Sequence, residues 1–265
     1  MRSDVCLNVH IGTGQASVRT RLPSLFFAMV NQGVVGSLQA VTSFPAERAV
    51  MLRERAAGAY LTSSYFVAKA AVDAITLLWS PILFTSIVYF AVGYQKSVNK
   101  FLIYAMFTIF DTYAAASLST LGKSVILTLS IPHLLTRLLM YTYVVVCTCV
   151  SIERSTVALS FLFEITRLYG GYYTSPAQLD ENPSWRFADA LSYIKYAYVG
   201  IALNELDGLQ LSCDSKGTCK YISGQELIYA FGYDEYTIGG CAGYIWVLIA
   251  GFQLLGYLGL RFLKY

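Results

Sequence analysis

The residues of this chain able to do chemistry are a few charged side chains and thiols scattered through a very apolar sequence. Asp111 stands near the centre of one apolar run, Phe101 to Leu121. A carboxylate at membrane depth is costly and marks a functional site by default. The structural alternative is hydrogen bonding to the neighbouring Thr108, Thr112 or Tyr113, and the residues alone favour neither. Lys69 and Asp73 are four apart, share a helix face and are placed to pair. Glu47, Arg48, Arg53, Glu54 and Arg55 form the densest charge cluster. It is either a topology anchor or a short helix that offers charges to a cytosolic partner. Cys213 and Cys219 flank a short turn, CDSKGTC, a spacing that suits a local disulfide in an extracellular loop.

Several other motifs lead nowhere. Gly122-Lys123-Ser124 resembles the end of a nucleotide-binding loop, but that motif needs a glycine at position 117, which is Ser117. His133 has no second histidine near it and reads as an interfacial or packed residue. The 2 His and 6 Cys show no ligand spacing typical of a metal site. Nucleic acid is not an expected partner, because the basic residues behind a net charge of +3 are dispersed. A membrane enzyme would need a clustered nucleophile or acid–base pair. Only Asp111, Lys69 and Asp73 are on offer for that role.

The elements that position these residues are set by composition. The chain is 56% hydrophobic and 13% charged, against roughly 25% charged for soluble domains. Its apolar runs match the roughly 20 residues needed to cross a bilayer as helix. The expected fold is therefore all-α, a polytopic transmembrane bundle of five to six spans. Residues 1–23 form a polar N-terminal segment without the apolar core of a secretory signal, and 24–265 form the membrane domain.

The first span, Ser24 to Phe44, holds Asn31, Gln32 and Gln39, which should face other helices or a wet cavity. Gly33, Gly36 and Ser37 should admit a close neighbour, and Pro45 should end the helix. Tyr65 to Tyr94 is long enough for a span and an interfacial turn, with a kink at Pro81. Ser124 to Gly171 crosses once or twice. Thr174 to Gly240 is a long polar-aromatic loop, in which Leu191 to Leu203 reads as an amphipathic helix at the membrane interface. Cys241 to Leu263 is the last span. The arginines of the first loop, with Arg261 and Lys264, mark the cytosolic side.

At LFFAMVNQG, FPAERAVMLRERAAGAYLTSSYFVAKAAVD, ASLSTLG, LYGGYY and PSWRFADALSYIKYAYVGIALNELDGL, the chain resembles a known family. This is the transmembrane domain of the G subfamily of ATP-binding cassette transporters, the White-type half transporters. The resemblance implies a bundle that pairs as a homo- or heterodimer around a substrate cavity, embedded in membrane lipid of the plasma membrane or an organelle. It implies export of lipids, sterols or other hydrophobic molecules. Asn31 and Val34 would line the pathway, joined by Asp111 on its own reading. Glu47, Arg48, Glu54 and Arg55 would couple to a nucleotide-binding domain, with ATP and magnesium bound by that partner and no cofactor held by this chain. The alternative is a non-pumping scaffold or regulatory dimer partner. Three departures from the family are expected: no nucleotide-binding domain, no first helix, and a longer, more charged stretch from Lys123 to Glu164.

Overall fold

The computed structural model describes residues 15–128, 152–176, 186–212 and 221–262. Among them are nine helices and one isolated β-bridge, between Gln210 and Ser223. Helix α1 runs over Gln15–Ala56, 42 residues without a break. The expectation that Pro45 would end it is therefore corrected. A proline removes one hydrogen bond from the ladder, and the sequence after it, AERAVMLRERA, is rich in the strongest helix formers. The charge cluster is thus the last three turns of a long helix rather than a loop. The helix also starts earlier than the polar N-terminal segment suggested, so Ser17 and Arg21 are helical and buried.

The long apolar stretch is divided into α2 (Thr62–Leu77) and α3 (Trp79–Val92). The break is at Leu78, whose N–H turns to the Ile75 carbonyl at 3.4 Å. Pro81 has no N–H to offer the Leu77 carbonyl, so the disturbance falls in the turn before the proline. Helix α3 ends at Gly93, where φ is 76° and the Cα carries no side chain to resist it. Then follow α4 (Val98–Thr128), α5 (Ile152–Leu168), α6 (Arg186–Ala190), α7 (Tyr193–Leu206), α8 (Gly224–Phe231) and α9 (Ile238–Phe262).

Among the described residues, three segments are long and apolar enough to cross a membrane: Ser63–Val92, Val98–Leu121 and Ile238–Gly259. The middle one is the hub, 56% buried against 22% and 17% for the others. It packs against α1, α2, α3, α5, α7 and α9. Lys69 and Asp73 pair as their spacing required, at 3.1 Å. Gly122-Lys123-Ser124 continues helix α4, not a phosphate-binding loop. His133, Cys213 and Cys219 lie outside the described residues, as does the middle of the stretch that crosses once or twice, 129–151.

Helix α7 requires a second correction. Leu191 is exposed, but every residue from Tyr193 to Leu206 is buried, so this helix lies inside the bundle and not along an interface. Ala197, Gly200 and Ala202 keep it slim, and the Phe107 ring of α4 presses onto Gly200. Its charged residues are compensated internally. Lys195 pairs with Asp189, and its ammonium sits 5.0 Å from the Tyr236 ring centre and 5.6 Å from that of Tyr196. Burial works to lower the Lys195 pKa, but the bonds to Asp189 and Tyr236 outweigh it and hold the value above the ordinary lysine range. The amphipathic element before the last helix is instead α8, with Leu227 and Ile228 buried and Gln225, Glu226 and Tyr229 exposed.

Candidate functional site

Helix α1 has two faces of different character. Phe27, Asn31, Val34 and Leu38 recur at helical spacing and form an exposed stripe. Gln32, Gly33, Gly36 and Ser37, on the other side, are buried. The small residues do what their size suggested. A Cβ on Gly36 would lie 2.7 Å from the Thr112 carbonyl oxygen, so the two backbones are nearly in contact. A Cβ on Gly33 would lie 3.0 Å from the Tyr193 hydroxyl and 3.5 Å from Asp111 Oδ2.

The residues singled out for the pathway therefore do not share one surface. Val34 is 42% exposed and Asn31 is exposed beside it, while Asp111 is 0% exposed, on the far side of α1 from that stripe. The hydrogen bonds available to Asp111 along its own helix are not made. Thr108 donates to the Tyr104 carbonyl at 2.7 Å, Thr112 to the Thr108 carbonyl at 2.9 Å, and Tyr113 to the Ala74 carbonyl. Both Asp111 oxygens, Gln32 Nε2 and the hydroxyls of Tyr193 and Tyr104 are buried without a hydrogen-bond partner. Thr166 adjoins the Tyr193 hydroxyl without completing a bond to it.

A polar clasp joins α1, the α3–α4 turn and the end of α7. Arg21 donates to Glu205 Oε1, both side chains being almost wholly buried. The Gln95 backbone N–H reaches the same carboxylate at 3.3 Å. Lys100 donates to Gln95 Oε1 at 2.9 Å, and Asn204 donates to the Lys100 carbonyl at 2.9 Å. Ser24 and Tyr94 share a hydroxyl–hydroxyl bond of 2.8 Å. Burial pushes the Glu205 carboxyl up, while Arg21 and the Gln95 N–H pull it down. Arg21 does not stand out in the sequence as a site residue, because it falls within the polar N-terminal segment 1–23. The signal that would have found its partner was Glu205, the one acid inside the apolar run Tyr193 to Leu206.

At the other end of α1, Glu54 is exposed and accepts from the Tyr60 hydroxyl at 2.8 Å. The Tyr60 ring stacks on Tyr65 with centres 5.7 Å apart. Partial burial and the bond to Glu54 push the Tyr60 hydroxyl up to about 12, so it remains a donor at physiological pH. Glu47, Arg48 and Arg55 follow the helical backbone, and their side chains lie outside the described part of the structure. Among the described residues, no cluster of His, Cys, Asp and Glu is arranged to hold a metal ion.

Comparison with known proteins identifies this architecture. Residues 5–142 match the family described as ABC-2 type transporter. ABC transporter G family member 1 of Dictyostelium discoideum is 25% identical over 260 residues, covering 95% of this chain and 30% of that protein. ABC transporter G family member 25 of Arabidopsis thaliana is also 25% identical, over 261 residues, covering 94% and 35%. The mouse protein named broad substrate specificity ATP-binding cassette transporter ABCG2 is 33% identical over 115 residues, covering 42% and 17%. The chain thus spans about a third of the length of the first two relatives. It is an integral membrane protein that belongs to the ABC-2 type transporter family, as a membrane domain of the G-family kind.

Proposed function

We propose that this chain is the permease portion of an ATP-driven exporter of lipids, sterols or other hydrophobic small molecules. The observation that carries this reading is the exposed α1 stripe Phe27, Asn31, Val34 and Leu38. A carboxamide is costly against lipid and is favoured against another helix or a wet cavity. The stripe accordingly faces a second half transporter across a shared pathway, with Asn31 and Val34 on the substrate side. In the multi-pass arrangement proposed, the Glu54 end of α1 and Arg261 are cytosolic, and the Arg21–Glu205 clasp and 174–240 are outside. Cys213 and Cys219 pair there as a disulfide. ATP and magnesium bind a nucleotide-binding domain that docks on the last turns of α1. The energy of binding and hydrolysis acts by favouring one of two helix arrangements over the other.

The coupling role of α1 gives a direct test. An exposed ion pair or hydrogen bond such as that of Glu54 is worth only about 0–1 kcal/mol to stability. Glu54→Ala, in a complex with a nucleotide-binding partner, is therefore expected to leave surface expression normal and to abolish substrate-stimulated ATP hydrolysis. Normal expression with undiminished stimulation would remove this helix end from the coupling path. A scaffold that pumps nothing would show no stimulation even before the substitution.

A further inference from the structure

The buried junction of α1, α4 and α7 has no place in the coupling scheme above, and its chemistry is unusual. Asp111 is wholly buried at the middle of the hub helix, and neither carboxyl oxygen has a hydrogen-bond partner. No ion pair among the described residues includes it.

The groups on each packed element complete the picture. From α7 the titratable neighbour is the Tyr193 hydroxyl, and on α4 itself it is Tyr104, both buried and without partners. From α1 the neighbour is Gly33, and Arg21 is held at the clasp by Glu205. On α5, Glu164 and Arg167 pair with each other at 2.8 Å on the exposed side. On α2, Lys69 and Asp73 pair likewise, and on α3 the Tyr89 hydroxyl donates to the Gln95 carbonyl. On α9 the neutral Gln253 donates to Ser117 of α4 at 3.0 Å, and Cys241 is a buried thiol.

An ionised carboxylate in such a place would lack both a counter-ion and hydrogen bonds, and its desolvation would cost far more than that of the neutral acid. We propose that Asp111 is a proton-binding site of the bundle interior, its carboxyl carried as the neutral acid between α1, α4 and α7. The proton taken up forms an O–H bond on one carboxyl oxygen. The Tyr193 hydroxyl is a buried polar neighbour, since it and Asp111 Oδ2 stand 3.0 and 3.5 Å from where a Cβ on Gly33 would lie, without bonding each other. Any rearrangement that parts α1 from α4 and admits water then releases a proton, and raising the pH favours the parted arrangement. This inference rests on the membrane bundle alone and stands whether or not the protein is an exporter.

Infrared spectroscopy of the complete protein in lipid at neutral pH tests it. The carbonyl stretch of a protonated carboxylic acid is expected, at a pH well above the ordinary carboxylate range of about 4. Asp111→Asn should remove that band, and Asp111→Glu, which keeps the acid, should move it. Loss of carboxylate bands in place of the acid band would overturn the proposal, as would an acid band that neither substitution alters. Should Asp111→Asn not fold, the shift in Asp111→Glu alone decides, because an acid band elsewhere would stay where it was.

Discussion

Arg21→Ala is expected to unlock the clasp at a cost of about 3–5 kcal/mol, the range for breaking a buried ion pair from one side. The loss is large because Glu205 would be left inside the bundle without its counter-ion, its carboxyl bonded only by the Gln95 N–H. Total stabilities of domains run to about 5–15 kcal/mol, so this one change could remove much of the margin. Thermal unfolding in detergent, read beside protease resistance of the 93–97 turn, measures it. Removing both charges together with apolar residues of similar size should cost much less than Arg21→Ala, because no orphaned charge remains. Equal losses in the single and double variants would show that the pair is not what joins α1 to α7.

Gly36→Val is expected to destabilise the bundle by at least the roughly 1–3 kcal/mol typical of overpacking. The added Cβ meets a backbone oxygen of Thr112 at 2.7 Å, and a backbone cannot rotate out of the way as a flexible side chain can. Helix α1 would have to lift from α4 along its buried face. Gly243→Val on α9 supplies the control, since nothing lies within 4 Å of a Cβ there. The same unfolding assay should show a marked fall for the first variant and little change for the second. Matching behaviour would mean that the close α1–α4 packing is absent from the protein.

Much of this was legible in the sequence. The apolar runs announced a helical membrane bundle, the spacing of Lys69 and Asp73 announced their pair, and Gly33 and Gly36 announced a close helix contact. These are local properties, fixed by composition or by helical periodicity. The misreadings came where tertiary context decides. Pro45 is a local stop signal, but the strong helix formers after it carry α1 to Ala56. Leu191 to Leu203 looks two-faced because Lys195 and the tyrosines are polar. Burial of α7 depends on Asp189, Tyr236 and Phe107, which lie outside that helix and cannot be matched to it by periodicity. The separation of Asp111 from Asn31 and Val34 follows from how α1 is rotated against α4, which no single-helix pattern contains.

The exporter reading requires this membrane domain to move a hydrophobic molecule when ATP is hydrolysed beside it. The measurement is uptake of a fluorescent lipid analogue into inside-out vesicles holding the domain joined to, or co-assembled with, a G-family nucleotide-binding domain. Uptake is expected to require ATP, to vanish when the ATPase is disabled, and to fall when Asn31 and Val34 are replaced together by bulky residues at normal expression. Uptake that is the same with and without ATP, for the lipid analogue and for a panel of other hydrophobic probes, would contradict the exporter reading.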